Sequence, residues 1–285
     1  MGVGACGDDD DEGGGGGEGG GGGTTVKVYS SLPLQGASRP QTTAMVNGIK
    51  LALEQAGGKA GDITVQYESL DDSTAQAGSW TPEATTANAR KAAQDDSTAV
   101  YLGEFNSGAS AVSIPILNEG GVPQISPANT YVGLTTDAPG SEPGEPDSYY
   151  PTGQRTYTRI VPIDTIQAAA LVTLMKEDGC TKVQLTNDKE VYGAGLATNI
   201  EEAGKEQGVE IISNEAVDKN APNYRSLAQK AGSAGADCFI YSGITANNAV
   251  QLYKDFSAAL PDAKLYGPDG VCEAGFADPK EGGIP

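Results

Sequence analysis

The residues best suited to chemistry lie in two short turns, Gly103-Glu104-Phe105-Asn106-Ser107-Gly108 and Pro127-Ala128-Asn129-Thr130. Each follows a short apolar run that reads as a strand, 98–102 and 123–126, and the first turn opens a helix over about 109–118. Small polar residues where a strand of an α/β sheet ends leave backbone N–H groups free to face a ligand. Such a place suits a carboxylate. Ser107 and Asn129 also fit an ordinary capping and turning role, but two such turns ending successive strands favour a site. A third turn, Asn187-Asp188-Lys189-Glu190-Val191-Tyr192-Gly193, links another predicted strand to its helix. Tyr192 there either closes over a ligand or packs on its own helix.

These turns need strands and helices to hold them, and the chain alternates the two. An apolar strand at 26–29 precedes a helix over 41–56 whose Met45, Ile49, Ala52, Leu53 and Ala56 form one apolar stripe, predicting a core-facing helix ended by Gly57-Gly58. Ile63, Val65 and Tyr67 alternate in a second strand, and a loop with Asp71-Asp72 and Trp80 leads to a helix over about 82–94. Strand, helix, strand, helix, strand is the signature of a parallel sheet with right-handed crossovers. Asp71-Asp72 lacks a third ligand at a metal spacing and reads as a solvated strand end. The segment 133–154, rich in Pro, Gly and acids, is a long surface excursion that Tyr149 and Tyr150 pack down. A hinge strand over 157–162 follows, and the alternation then restarts: helix 166–176, strand 182–186, helix 194–207, strand 210–213, helix 224–234, strand 237–241, helix 246–260, strand 264–266.

Composition narrows the function. At 285 residues the chain can form two domains of roughly 100 to 150 residues each. A net charge of -20 excludes a nucleic-acid partner, because phosphate binding needs a basic face. No apolar run approaches the roughly 20 residues of a membrane span. Histidine is absent, which removes the commonest general base, the Ser-His and Cys-His pairs and histidine metal sites. With no Walker A sequence and no GxGxxG after a strand, neither an enzyme nor a bound cofactor is expected.

Cys6, Cys180, Cys238 and Cys272 show no CxxC spacing. Cys180 precedes the first strand of the second unit and Cys238 begins its third; in a doubly wound sheet of order 2-1-3 those strands are neighbours, so a disulfide between them is expected, in an oxidising compartment. Cys272 has no evident partner. Residues 1–23 are Gly-rich with an acidic cluster and read as a flexible tether. Within them Val3-Gly4-Ala5-Cys6 resembles the lipobox of bacterial lipoproteins, in which the Cys is lipidated; the upstream basic and apolar signal region is missing, which leaves an unmodified tail thiol as the other reading. A lipid on Cys6 would hold a globular body near a membrane without inserting it.

The strings ISPANT (125–130), NDKEVYGAGLA (187–197) and YGPDGV (266–271), in this order, resemble the branched-chain amino-acid-binding group of type I periplasmic solute-binding proteins of ABC importers. The resemblance runs from about residue 25 onward. It implies an α/β fold of two Rossmann-like lobes joined by hinge strands: lobe I over 24–158, lobe II over 159–267, and 268–285 beginning a return toward lobe I that leaves the first lobe possibly incomplete. It implies that Ser107 and Thr130 meet a ligand carboxylate, with Asn106 among the ligand-binding residues, that the carbonyl near Ala128 and Asn129 and the carboxylate of Asp269 meet an ammonium, and that Tyr192 closes from the second lobe. A desolvated zwitterion needs donors at one end and an acceptor charge at the other. Two positions often aromatic in the family are not so here, the loop Leu34 to Ser38 and Ile244, and this leaves the ligand's side chain open. The implied function is capture of an amino acid or related small solute by an extracytoplasmic lipoprotein, in the periplasm or on the outer face of the cytoplasmic membrane, as a monomer serving an ABC permease; the alternative is the ligand-binding module of a signalling system.

Overall fold

A computed structural model of the chain describes residues 23–284. The expected lipidation site Cys6 and most of the tether lie outside the described residues. Two sheets organise the rest. The first has the order β2-β3-β1-β4-β5-β6, from β1 (Thr25–Leu32), β2 (Lys59–Ala60), β3 (Ile63–Asp71), β4 (Thr98–Leu102), β5 (Gln124–Ser126) and β6 (Tyr157–Arg159). All pairs are parallel except β2 with β3. The helices α1 (Arg39–Gln55), α2 (Pro82–Ala93) and α3 (Ser107–Glu119) connect them. The second sheet, order β10-β9-β7-β8, is wholly parallel. It contains β7 (Lys182–Asn187), β8 (Glu210–Ala216), β9 (Cys238–Ser242) and β10 (Lys264–Tyr266), with helices α4 (Asp164–Glu177), α5 (Val191–Gln207), α6 (Arg225–Ser233) and α7 (Ala249–Ala259); a short α8 (Ala274–Ala277) follows.

The sequence explains these elements locally. Thr81 accepts a hydrogen bond from the Ala84 amide at the start of α2, with Pro82 and Glu83 in the first turn and Arg90 and Lys91 in the last, so cap and dipole agree. Gly208 ends α5 at φ 77°, which only glycine adopts without strain. All five residues of β9 are buried, as befits a central parallel strand covered on both faces. Ile240 packs toward α4 and α5, and Phe239 and Tyr241 toward α6 and α7. Cys180 and Cys238 are joined in a disulfide, because β7 and β9 are neighbours.

The strand expected at 157–162 is β6 over Tyr157–Arg159, which pairs with β5 as the sixth strand of the first sheet before the chain crosses to the second. Other expectations change. The stripe on α1 is only partly covered, with Thr42 and Val46 buried and Ala52 and Ala56 exposed, since α1 packs against β3, next to the edge strand β2. The excursion over 133–154 does fold onto Tyr150, whose hydroxyl donates to the Leu134 carbonyl at 2.6 Å, but it also meets the other lobe. Asn199 of α5 donates to the Pro139 carbonyl, and Gly140 and Gly195 approach so closely that a Cβ on Gly140 would lie 2.7 Å from the Gly195 oxygen.

A further correction concerns Asp71-Asp72, which is no solvated strand end. Asp72 is 0% exposed and sits beside Glu104, also fully buried. Burial and mutual repulsion raise the Asp72 carboxyl well above its ordinary range, and burial raises Glu104 to about 7. Tyr101 donates to Glu104 Oε1 at 2.8 Å; both Asp72 carboxylate oxygens and Glu104 Oε2 lack partners. Protonation eases the conflict, since a protonated carboxyl does not carry the cost of a buried charge.

Two predictions follow from the packing. Cys180→Ala with Cys238→Ala, or reduction of the wild type, should cost about 2–4 kcal/mol of stability by restoring loop entropy to the unfolded chain; a denaturation midpoint indifferent to reductant would contradict it. Because the folded pKa of Glu104 is raised above the ordinary 4.5 to about 7, its contribution is present below the unfolded value and lost as pH rises through about 7, with Asp72 acting in the same direction. Glu104→Gln should therefore flatten a wild-type decline of about 1–3 kcal/mol over this window, measured as denaturation midpoint against pH.

Candidate functional site

The carboxyl ends of β4, β5, β7 and β9 face one cavity of about 280 Å³ between the two sheets. Ser107 and Gly108 open α3, where helix geometry leaves N–H groups without intrahelical acceptors and a partial positive charge. Asn106, the residue before them, is extended and also lines the cavity. The turn after β5 adds Ala128 and Thr130. Ser126 ties the two turns together: its hydroxyl donates to the Glu104 carbonyl at 2.8 Å and accepts from the amides of Ala128 and Asn129 at 3.2 and 2.9 Å.

From the other lobe come Glu190, Tyr192, Ile244, Asp269 and Gly270. Tyr192 is 7% exposed and donates to Asp269 Oδ1 at 2.5 Å. Burial, with Asp269 alongside, raises its hydroxyl well above the ordinary value, so it stays neutral and a donor. Gly270 is required by the approach of that ring: a Cβ would fall 2.9 Å from Tyr192 Cε1 and 2.5 Å from the Gly243 oxygen. Buried Asp188 accepts from the amides of Glu190 and Ile244, at 3.1 Å each, and from Asn247 Nδ2 at 2.8 Å, fixing two cavity-lining turns through one carboxylate. Burial raises that carboxyl to about 6.

Of the residues expected here, Asn106, Ser107, Ala128, Thr130, Tyr192 and Asp269 line the cavity together. Asn129 stands behind the wall. Its side chain meets Ser110, Tyr157 and the Phe105 carbonyl, and its own carbonyl accepts from Arg159 Nη1 at 3.2 Å. Arg159 also grips the Tyr131 carbonyl at 2.8 Å and Thr135 Oγ1 at 2.7 Å, so its charge braces the turn after β5.

Sequence reasoning assigned no role to Trp80, Phe105, Glu190, Gln41 or Cys272 at the wall. Phe105 and Glu190 lay inside turns already singled out, and Trp80 was visible as a lone tryptophan in a loop, a signal in itself. Asp164 gave none. It is fully buried at the crossing between lobes, its amide donating to the Thr130 carbonyl at 2.9 Å, and burial raises its carboxyl to about 7. Among the described residues no basic side chain lines the cavity. Glu190 is met by Lys219 at 3.2 Å, and among the described residues no Lys or Arg pairs with Asp269. Cys180, Asp237 and Cys238 cluster closely enough to suggest a metal, but the disulfide leaves no thiolate there. No helix among the described residues is long and apolar enough to cross a membrane.

This geometry has relatives. A solute-binding protein of an ABC transporter from Rhodopseudomonas palustris HaA2, solved with p-hydroxybenzoic acid, superposes with a TM-score of 0.70 at 15% identity, over 85% of this chain and 61% of that one. A leucine-binding protein, LivK, from Thermotoga maritima gives a TM-score of 0.70 at 20% identity over 85% and 63%. The leucine-, isoleucine-, valine-, threonine- and alanine-binding protein of Pseudomonas aeruginosa is 23% identical over 87% of this chain and 61% of its own. The chain thus spans less than two thirds of the length of these relatives. The family model described as periplasmic binding protein matches residues 25–272, and with two parallel α/β lobes around one cavity the chain belongs to that family.

Proposed function

We propose that this chain is the ligand-binding part of an extracytoplasmic solute receptor for an ABC importer, a binder rather than an enzyme, and that its ligand is an amino acid, branched-chain or a related small polar solute. One observation carries the reading: an Asp269 carboxylate without a cationic partner shares a cavity with the amino end of α3 and the hydroxyls of Ser107 and Thr130. That arrangement suits a zwitterion, whose ammonium meets Asp269 and whose carboxylate meets the helix end and hydroxyls. The Pseudomonas relative, by its name, binds aliphatic amino acids; the Rhodopseudomonas neighbours are complexes with benzoates, which bear no ammonium for Asp269 to meet. On this reading lobe I spans 24–158, lobe II 159–267, and 268–285 begins a return to lobe I; 1–23 is a tether, with Cys6 its lipid anchor, and the receptor serves the permease as a monomer. Ligand favours the closed state by its differential contacts with the two lobes.

An amino acid at about 100 times its dissociation constant should add roughly 2.7 kcal/mol of stability, read as a rise in Tm. Asp269→Asn should weaken amino-acid binding roughly tenfold to a hundredfold, the cost of losing a charge-assisted bond, while affecting ammonium-free carboxylates far less. Calorimetry on both variants checks this. Equal binding of an amino acid by wild type and Asp269→Asn would remove the assignment.

A further inference from the structure

The proposed function leaves the ligand's side chain unassigned, and the cavity wall addresses it. Trp80, the only tryptophan in the chain, reaches the cavity from the loop after β3. It is built in rather than draped over. A β-bridge pairs it with Ser73, the next amide, Thr81 N–H, donates to the Asp72 carbonyl at 2.8 Å, and the Ser73 hydroxyl donates to Asp71 at 2.5 Å while accepting from the Gln35 amide at 3.1 Å. Its six-membered ring lies on Gly108 of α3, so close that a Cβ there would sit 2.7 Å from Trp80 Cζ2. Any side chain at Gly108 would displace the indole from the helix end.

Phe105 joins it at the wall, its carbonyl held by Asn129 Nδ2 at 2.8 Å, and Ile244 contributes from the other lobe. Two aromatic residues at one wall, the indole of Trp80 lying on Gly108, are more than a small aliphatic side chain needs. Aromatic pairs gain beyond the area they bury, and rigid rings lose little entropy on contact. A benzoate could use the rings, but it would bring a second negative charge to Asp269 with no basic side chain among the described residues of the wall to meet it.

We infer that Trp80, with Phe105, is the specificity-determining wall of this receptor, and that the ligand class is a zwitterionic amino acid with an aromatic side chain. This rests on the amino-acid reading above and narrows it away from branched-chain ligands. The lone indole supplies its own probe, since its emission reports from the wall itself.

The test titrates the full chain with phenylalanine, leucine, alanine and benzoate, by tryptophan fluorescence and by calorimetry, and repeats the calorimetry on Trp80→Ala and Trp80→Phe. Phenylalanine should bind roughly two- to tenfold more tightly than leucine, the range aromatic pairing supplies. Trp80→Ala should erase that preference, and Trp80→Phe should keep most of it. Leucine binding as tightly as phenylalanine, or a preference that survives in Trp80→Ala, overturns this inference alone. Tighter binding of benzoate than of any amino acid, or binding of no amino acid, overturns it together with the reading beneath it.

Discussion

Parallel strand pairing is the constraint on which this structure depends. When strands of a sheet run the same way, their carboxyl ends lie along one edge, and the crossover helices begin there with their amino ends. Two such sheets facing each other bring five strand ends to one cavity: β4 delivers Phe105 to Gly108, β5 delivers Ala128 and Thr130, β7 delivers Glu190 and Tyr192, β9 delivers Ile244, and β10 delivers Asp269 and Gly270. The alternation of each strand simultaneously buries the core, as Phe239 and Tyr241 of β9 do on one face and Ile240 on the other. Fold and site are therefore consequences of one arrangement.

The cavity's electrostatics follow from what surrounds the strand ends. Buried carboxyls recur behind the wall: Asp188 orders two turns through three hydrogen bonds, Asp164 sits at the crossing between lobes, and Asp72 and Glu104 share the interior of the first lobe. Burial shifts all four toward the neutral acid, which limits the charge stored in the protein itself. Arg159, beside the turn after β5, is spent on the carbonyls of Asn129 and Tyr131 and on Thr135. Positive charge is thus used to hold the turn after β5, and negative charge is left facing the cavity at Asp269.

The lobes are also joined outside the cavity. The excursion over 133–154 leaves the first sheet, folds on Tyr150 and the Tyr131–Glu145 pair, in which the Tyr131 hydroxyl donates to Glu145 Oε2 at 2.6 Å, and lays Pro139 and Gly140 against α5. Since α5 begins at Val191, the helix that carries Tyr192 is touched by the first lobe at a second place. Relative movement of the lobes must accommodate both contacts.

The sequence by itself determined the alternation of strands and helices and the two-sheet organisation, and it placed Cys180 and Cys238 at the ends of strands that prove to be neighbours. Period and turn chemistry are written in neighbouring residues; the residues suggested for a ligand came from a family resemblance, and six of those seven line one cavity. Only the tertiary structure decided the rest. Trp80 is far along the chain from Gly108, yet the two touch. Asp72 looks solvent-facing beside Asp71 but is buried against Glu104 across the sheet. Asn129 belongs to the right turn but points behind it, and Tyr157–Arg159 pairs as an edge strand on the free side of β5. Burial and long-range contact arise when distant segments pack, and no spacing within a single segment encodes them.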